Sequence, residues 1–354
     1  MLASEIITQN LDALLRDAPR HPLTATDKWV IFSDLHLGDG GPNDDFRPNA
    51  DLFNYVLEHQ YLRQGYSLVL NGDVEELQRY TYAQVARRWG SVYALFDAFA
   101  GAGRLVKIVG NHDYDLILKT SKASPYPHHN AFVLTYGAHE LLLFHGHQAS
   151  LAYTRHNALI GFFLRYFAQP LGINNYSVAY DSRKQFKIEK RVYGYASRRK
   201  IAALIGHTHR PLFESMSKID SLKFQIETLL RQYPGLPSEA ARVVEKKVMA
   251  FRNQLLQANT NRKASLAGSS RYSTDILIPC LFNSGCVISP GGMTCLEISG
   301  ESLALVHYFD GRVKVPRSGE STGPGVGLGD SPYHRVVIHQ EPLSYIFSRI
   351  SLLA

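Results

Sequence analysis

Five short polar blocks, each placed just after an apolar run, constrain the fold of this chain more than any other feature. The blocks are Asp34-Leu35-His36, Gly72-Asp73, Gly110-Asn111-His112-Asp113, His145-Gly146-His147 and Gly206-His207-Thr208-His209. The runs before them, WVIF, LVL, LVKIV, LLLF and AALI, have the composition of buried strands. The polar residues should therefore emerge together at the ends of neighbouring strands, where open α/β sheets place their active sites.

The composition is that of a soluble globular protein. Of the 354 residues, 45% are hydrophobic and 19% are charged, which suffices for one large core or two smaller ones. The first residues, MLASEIITQNLDALL, carry acids instead of a basic leader. The most apolar window, 158–173, is interrupted by Arg165, Gln169 and Pro170. We therefore expect neither a secretory signal nor a membrane span.

The three cysteines give an expectation about location. Cys280, Cys286 and Cys295 lie far from the polar blocks and have no CxxC spacing. This pattern favours small buried thiols in a reducing compartment over a disulfide or a redox role. We expect a cytoplasmic protein, and peripheral association with a membrane stays open.

Positive charge is concentrated in one segment. The net charge is +7, and residues 183–200 alone hold eight basic residues and one acid. A local excess of this kind fits an anionic substrate better than general coating of nucleic acid. Phe186, Tyr193 and Tyr195 interleave with the basic residues, as stacking on single strands would require, so a nucleic-acid partner also stays open beside a solvated helix face.

The order of predicted elements indicates an α/β fold. Strand-like runs alternate with helical segments near 49–64 and 82–100, which is typical of parallel strands joined by crossover helices. The predicted organisation is an N-terminal helix and loop over 1–27, a main domain over 28–311, and a C-terminal linker and tail over 312–354.

Two insertions are predicted within the main domain. Residues 148–200, apolar in the first half and basic in the second, should form a helical cap over the site. Residues 216–257 carry apolar side chains at helical spacing on both sides of a YPGLPS turn, which predicts an αα-hairpin. The later runs ILIPCLF, TCLEIS and SLALVHYF predict closely spaced antiparallel strands of a second sheet.

The residue types in the five blocks indicate two divalent metal ions. Metals about 3.5–4 Å apart need a shared anionic ligand, and neutral imidazoles or amides then complete each shell. Asp73 is the natural bridge. The remaining ligands would be Asp34, His36 and His209 at one metal, and Asn111, His145 and His207 at the other. Mixed nitrogen and oxygen ligands suit Mn best, with Fe, Zn or Co as alternatives, and a hydroxide held on the pair would be a nucleophile at neutral pH.

His112 is the candidate catalytic acid. It directly follows a ligand and precedes Asp113, which could orient and charge the imidazole. Once protonated, His112 would stabilise the phosphate oxygens or protonate the leaving alcohol. His147 stays open between ligand and core residue, because the fourth block needs only one ligand.

The series DLH, GD, GNHD, HGH and GHTH resembles the calcineurin-like metallophosphoesterase superfamily over roughly residues 28–309. The resemblance implies a four-layer α/β/β/α sandwich with paired sheets, the ligand assignments above, and His112 as the acid with Asp113 as its partner. The HG-x block, the helical excursion before GHTHRP and the FNSG strand start most resemble the UDP-2,3-diacylglucosamine hydrolase branch. The αα-hairpin is additional to the common pattern.

We therefore expect a metal-dependent hydrolase of a phosphomonoester, phosphodiester or pyrophosphate, acting on a phosphorylated anionic substrate. The alternatives are a lipid-linked pyrophosphatase, a nuclease and a non-catalytic metal-binding scaffold. For a phosphorylated amphiphile, Phe162 and Phe163 would contact the acyl tails, and Arg183, Lys187 and Arg191 the head. The cap aromatics could instead simply pack on the αα-hairpin.

Overall fold

The five apolar runs form strands, and these strands carry the rest of the architecture. The computed structural model describes residues 3–118, 124–150, 182–213, 222, 226, 229–230, 233–235, 237–265, 278–313 and 325–354. Within these residues the strands are β1 (Arg20–Pro22), β2 (Lys28–Phe32), β3 (Ser67–Asn71), β4 (Leu105–Ile108), β5 (His128–His129), β6 (Ala131–Tyr136), β7 (His139–Phe144), β8 (Ala202–Ile205), β9 (Leu281–Asn283), β10 (Met293–Ser299), β11 (Ser302–Asp310), β12 (Val326–Gly327) and β13 (Tyr333–Pro342). The five runs lie in β2, β3, β4, β7 and β8, so these predicted strands are confirmed.

Helices form where the sequence shows helical periodicity. The α-helices whose bounds fall within the described residues are α1 (Ala3–Asp17), α2 (Ala50–Val56), α3 (Tyr82–Arg88), α4 (Gly90–Gly101), α5 (Asp115–Leu118), α6 (Ser182–Arg199), α7 (Ser238–Ser265) and α8 (Leu343–Leu353). A π-helical segment, Leu57–Leu62, continues α2. The helices predicted near 49–64 and 82–100 are confirmed, the second as the pair α3 and α4.

The strands form two sheets, which makes the protein a mixed α/β structure. The eight-stranded sheet has the order β12-β13-β11-β10-β2-β3-β4-β5, and the five-stranded sheet has the order β1-β6-β7-β8-β9. Strands β2 to β5 are parallel, and β10, β11, β12 and β13 extend the sheet with antiparallel pairs. In the five-stranded sheet, β7, β8 and β9 are parallel.

Alternation along β2 shows how the layers are arranged. Trp29 and Ile31 belong to a core that also contains residues of the five-stranded sheet, whereas Val30 and Phe32 pack with residues of α2 and α4. The eight-stranded sheet is therefore covered by the other sheet on one face and by helices on the other. Burial of both faces explains why the strand sequences are continuously apolar.

Both ends of the chain are built into the sheets. The N-terminal segment was expected to be a helix and a loop; α1 is present, but residues 20–22 form β1, which pairs with β6. The C-terminal segment was expected to be a linker and tail; its described part instead forms β13, paired along its length with β11, and α8. The sequence of β13 mixes polar and apolar residues and contains charged ones, so it resembles an exposed tail although it forms a half-buried strand.

The later strands also differ from expectation in their pairing. Strand β9, from the ILIPCLF run, pairs in parallel with β8 instead of lying in an antiparallel group. Strands β10 and β11 are antiparallel as predicted, but β10 pairs with β2 and so completes the first sheet. Of the cap, residues 151–181 lie outside the described residues and the basic half is α6. Helix α7 provides the second half of the predicted hairpin, and most of its first half lies outside the described residues.

In the described part of the chain, no helix combines the length and the apolar character needed to cross a membrane.

Candidate metal centre

The five polar blocks meet where the two sheets meet. The loops after β2 and β3 run side by side: the backbone N–H groups of Asp34 and His36 donate to the carbonyls of Gly72 and Asp73, at 3.0 Å each. From the other sheet, the backbone N–H of His207 donates to Oδ2 of Asp34 at 2.9 Å. Backbone hydrogen bonds thus fix the loops after β2 and β3 to each other, and the side chain of Asp34, itself a predicted ligand, ties the His207 loop to them.

Most of the predicted ligands have left-handed backbone conformations. These residues, with their φ angles, are Asp34 (55°), His36 (48°), Asp73 (53°), His207 (66°) and His209 (55°). Positive φ is uncommon outside glycine, and strain of this kind persists only where the surroundings impose it. Gly110 shows how tight these surroundings are, because a Cβ there would lie 2.1 Å from Oδ1 of Asp73. The loops therefore turn so as to aim the side chains at a common point.

The first group of converging side chains, called the outer group, consists of Asp34, His36 and His209. One ligand atom from each lies within 4.8 Å of the others. Oδ1 of Asp34 is 3.1 Å from Nε2 of His209 and 4.0 Å from Nε2 of His36. The two imidazole Nε2 atoms are 3.3 Å apart. The structure thus brings together the ligands predicted for one metal.

The second group, called the inner group, consists of Asp73, His145 and His207, which are all buried. Oδ2 of Asp73 lies 3.1 Å from Nε2 of His145 and 3.9 Å from Nε2 of His36, which belongs to the outer group. One carboxylate oxygen therefore faces both groups, as a bridging ligand requires. His112 lies beside the groups, with its Nε2 4.0 Å from the same oxygen.

Two buried atoms test whether the site suits a metal. Nδ1 of His145 lies 2.9 Å from the carbonyl of Asn71, so this nitrogen carries a proton and Nε2 is the nitrogen available to a metal. Within the described residues, Oδ1 of Asn111 is buried without a hydrogen-bond partner, and Nε2 of His145 makes no well-aligned hydrogen bond although Oδ2 of Asp73 lies 3.1 Å away. Buried polar atoms are almost always paired, so these two atoms fit metal ligands. The donor set of carboxylates, imidazoles and an amide suits a divalent metal.

Electrostatic interactions within the site shift the pKa values of the ligands in both directions. Although burial opposes it, Asp73 and Asp34 raise the pKa of His145 to about 9, and Asp34 raises the pKa of His209 well above its usual value, so these two imidazoles would each release a proton on binding a metal. Burial disfavours the charge on Asp34, but His209 and His145 outweigh it and lower the pKa of Asp34 to about 2. The pKa of Asp73 is likewise held well below its usual value, because His145 and His112 outweigh burial. Burial and the charge of His145 lower the pKa of His207 to about 3, so this imidazole is neutral at pH 7. The carboxylates of Asp34 and Asp73 are ionised at pH 7 as well.

Glu76 is a site residue that the sequence interpretation missed. Its carboxylate lies 3.1 Å from Nδ1 of His36 and 2.8 Å from Nδ1 of His112, so it links a predicted ligand to the predicted acid. Burial would lower the pKa of His112, but Asp73 and Glu76 raise it to about 8. Only its position three residues after Asp73 could have indicated Glu76, and the neighbouring acid Glu75 made that signal ambiguous.

Asp113 differs from its predicted role as the partner of His112. Its carboxylate turns inward and accepts hydrogen bonds from the backbone N–H groups of Val74 and Gly110, at 2.8 and 2.5 Å. Because these groups lie in the loops that carry Asp73 and Asn111, Asp113 ties the two loops together. Glu76 takes the place beside His112 that was expected for Asp113.

Helix α6 is attached to the loop that holds His207 and His209. Glu189, which is buried, accepts a hydrogen bond from Oγ1 of Thr208 at 2.9 Å and pairs with Arg210. Gln185 donates to the carbonyl of Thr208 at 2.8 Å. The basic half of the predicted cap therefore supports one ligand loop directly.

The predicted substrate contacts are placed only in part. Arg191 donates to the carbonyl of Ala149 at 3.0 Å, and Lys187 is exposed. Phe162, Phe163 and the side chain of Arg183 lie outside the described residues. The role of these five residues stays a prediction.

Comparison with known proteins identifies no family for this chain, and its likeness to a solved structure is weak. No protein-family model matches the chain, and no curated protein matches it. Among solved structures, the chain is similar to a conserved uncharacterised protein from Streptococcus pneumoniae TIGR4, described as a predicted phosphoesterase. The two share 12% sequence identity with a TM-score of 0.30, over 80% of this chain and 89% of that chain. A likeness at this level does not assign a function.

Proposed function

We propose that this protein is a dinuclear metal-dependent phosphoesterase that hydrolyses a phosphomonoester, phosphodiester or pyrophosphate bond. The observation that supports this proposal is the meeting of the outer and inner groups at Oδ2 of Asp73, with buried ligand atoms that have no hydrogen-bond partner. A bound metal pair would activate water at neutral pH and neutralise phosphate oxygens. The four-layer α/β/β/α arrangement and membership of the calcineurin-like superfamily belong to the same proposal.

The protein's own residues have distinct parts in this reaction. Asp34 and Asp73 stay ionised and His207 stays neutral at pH 7, whereas His145 and His209 would each give up a proton when a metal binds. His112, held by Glu76, carries a proton at neutral pH that it can give to the leaving oxygen. Mn is the metal we propose first, with Fe, Zn or Co as alternatives.

The direct test is metal-dependent turnover of bis-p-nitrophenyl phosphate and p-nitrophenyl phosphate. The chelated protein should be inactive, and added Mn should restore hydrolysis. His36→Gln should abolish this activity. His139→Gln is the matched control, because His139 stacks on Phe347 and belongs to neither ligand group, and it should keep full activity.

The same experiment separates the alternatives. A protein that binds Mn without hydrolysing either ester, or any member of a panel of nucleotides, sugar nucleotides, phospholipids and phosphoproteins, would be a metal-binding scaffold. A protein that binds no metal would contradict the proposal. Preference for single-stranded nucleic acid within the panel would favour the nuclease alternative.

A lipid-linked substrate, of the UDP-2,3-diacylglucosamine type, is the finer proposal. It comes from the sequence resemblance and from the apolar and basic halves of residues 148–200. Replacing Phe162 and Phe163 by Ser should raise KM for lipid-linked substrates and leave small phosphodiesters almost unaffected. An equal loss for both substrate classes would remove the lipid proposal. A cytoplasmic location with peripheral membrane contact belongs to this proposal as well.

A further inference from the structure

Asn71, the last residue of β3, makes a polar contact across the interface between the two sheets. Its side chain is fully buried, and Nδ2 lies 3.2 Å from the carbonyl of Phe144 and 3.4 Å from the carbonyl of Leu204. Phe144 ends β7 and Leu204 lies near the end of β8, so one side chain of the eight-stranded sheet holds two strands of the other sheet.

The contact lies directly behind the inner group. Asp73 follows Asn71 by two residues, His145 follows Phe144 by one, and His207 follows Leu204 by three. The backbone carbonyl of Asn71 also accepts the Nδ1 proton of His145 at 2.9 Å. Asn71 therefore touches all three segments that supply the inner group.

The space around this contact leaves little freedom. Gly72 follows with a φ of +87°, and a Cβ there would lie 2.5 Å from Cγ of His145. The loop after β3 thus lies against the histidine ring. A small slide of one sheet over the other would move Asp73 relative to His145.

Apolar packing alone would resist such a slide poorly. The facing surfaces of the two sheets are mainly apolar, and hydrophobic attraction has no direction. Hydrogen bonds from one amide to two carbonyls are directional and are strengthened in a buried environment. They define one register of the two sheets.

Stability alone does not explain an asparagine here. Oδ1 of Asn71 is buried and has no hydrogen-bond partner within the described residues, and an unpaired buried acceptor is destabilising. Leucine has the same branched shape, although its methyl groups are bulkier than the amide atoms, and it carries no such penalty. The unpaired Oδ1 of Asn71 therefore lowers the stability of the fold, and the two hydrogen bonds donated by Nδ2 are what offset this loss.

We propose that Asn71 is a positioning residue that fixes the register between the two sheets and thereby the spacing of Asp73 from His145 and His207. This inference rests on the proposed metal centre. Its consequence is specific: without the amide, the inner metal loses affinity and the distance between the two metals is no longer fixed.

The test uses Asn71→Leu, which removes both donated hydrogen bonds and keeps the backbone carbonyl that holds His145. Asn71→Ser is the milder second variant, because its hydroxyl is too short to reach both carbonyls. Asn49→Leu is the matched control. Asn49 is also buried and donates through Nδ2 to two carbonyls, those of Val287 and Ser289, but neither carbonyl lies in a ligand-bearing strand.

Titration of the full-length, metal-free protein with Mn is followed by calorimetry and by electron paramagnetic resonance. Wild type and Asn49→Leu should bind two Mn ions and show the spin-coupled spectrum of a close pair. In the Asn71 variants, one of the two ions should bind about 10–100-fold more weakly, the range found for residues that support metal ligands. The spin-coupled spectrum should weaken or disappear, while circular dichroism shows a folded protein.

Two results would overturn the inference. Asn71 variants that bind both Mn ions with wild-type affinity and spectrum would show that the amide has no positioning role. An equal loss in Asn49→Leu would show that any weakened core has this effect. If wild type itself binds no Mn, the proposed function fails instead, so the two failures are distinguishable. Should Asn71→Leu fail to fold, the folded Asn71→Ser protein decides the question by the same spectrum.

Discussion

The outer and inner groups take their ligands from the same pair of sheets and differ in what lies behind the histidines. In the inner group, Nδ1 of His145 is fixed by a backbone carbonyl, and the side chain has no exposed surface. In the outer group, Nδ1 of His36 faces the carboxylate of Glu76, and 17% of the His209 side chain is exposed. The carbonyl of Asn71 belongs to the backbone at the end of the central strand β3, whereas the carboxylate of Glu76 is a side chain that can change conformation and can contact two histidines.

From this difference we expect the two groups to differ in how firmly they hold a metal and in how they take part in the reaction. The inner group is backed by rigid, buried structure and suits a metal that stays in place. The outer group is partly exposed at His209, while Asp34 and His36 are buried, and it is connected through Glu76 to His112, the candidate acid. Substrate exchange, proton transfer and metal exchange are therefore expected on the outer side.

The largest effect is expected at Asp73, where the two groups meet. Asn tolerates the left-handed backbone of this position, so Asp73→Asn removes the charge with little change in backbone. Both metals and nearly all turnover should be lost, with affinity falling by more than the about 10–100-fold typical of a supporting residue. Asn111→Ala should mainly weaken one site. Elemental analysis showing wild-type metal content in Asp73→Asn would refute the bridging role, and Asp310→Asn is the surface control.

The next effect concerns proton transfer on the outer side. His112→Ala should keep both metals and lose about 10²–10⁴ in kcat, with a smaller loss for nitrophenyl esters because their leaving groups need no proton. Glu76→Gln should reduce both kcat and outer metal affinity, since Glu76 touches His36 as well. Equal losses for nitrophenyl and alkyl esters in His112→Ala would leave only charge stabilisation for this residue.

Chelation should separate the groups by rate. One equivalent of Mn should leave first from the outer group, because His209 is partly exposed and the inner ligands are buried. Release into an excess of a chelator that changes colour on binding Mn, followed by stopped-flow absorbance, should show two phases. His209→Gln should remove the fast phase, and His207→Gln the slow one. A single phase of two equivalents in wild type would mean that the groups do not differ in access.

The smallest effect is a loss of folding stability at acid pH that comes from His128, a residue outside both ligand groups. This loss must be subtracted before the acid sensitivity of the protein is attributed to the ligand histidines. Burial and the nearby Lys107 lower the pKa of His128 on β5 to about 4. The folded pKa lies below the unfolded value of about 6.5, so this contribution to stability is present above pH 6.5 and is lost as the pH falls towards 4. His128→Gln should recover about 1 kcal/mol of the stability lost between pH 7 and 4.5, after allowance for partial exposure. Urea unfolding of the metal-free protein measures this difference, and identical losses in both proteins would contradict it.

The sequence indicates which polar side chains converge, because metal ligation restricts residue types. Asp, His and Asn after apolar strands carry a local signature, and residues such as Asp73 and His145 can be chosen without a structure. Glu76 carries no such signature. Its role depends on the approach of His36 and His112 from other loops, and nothing local separates it from Glu75.

Strand pairing was harder to predict for a similar reason. The apolar runs establish that β9 and β10 exist, but their neighbours are decided by contacts far away in sequence. Strand β13 has mostly half-exposed residues, and its sequence, YHRVVIHQEP, resembles a polar tail. Its place beside β11 follows from a free sheet edge, which the sequence does not display.

The position of β2 in its sheet bears on how the protein is made. On a ribosome, β2 finds β3 early, but its other neighbour, β10, belongs to residues Met293–Ser299 and emerges much later. All the proposed ligands are synthesised by His209, yet each of the sheets that carry them still has an open edge at that point. Open edges invite association with other chains, and long-range pairs form slowly. Expression at low temperature or with chaperones should therefore matter more to yield than metal supplied during translation.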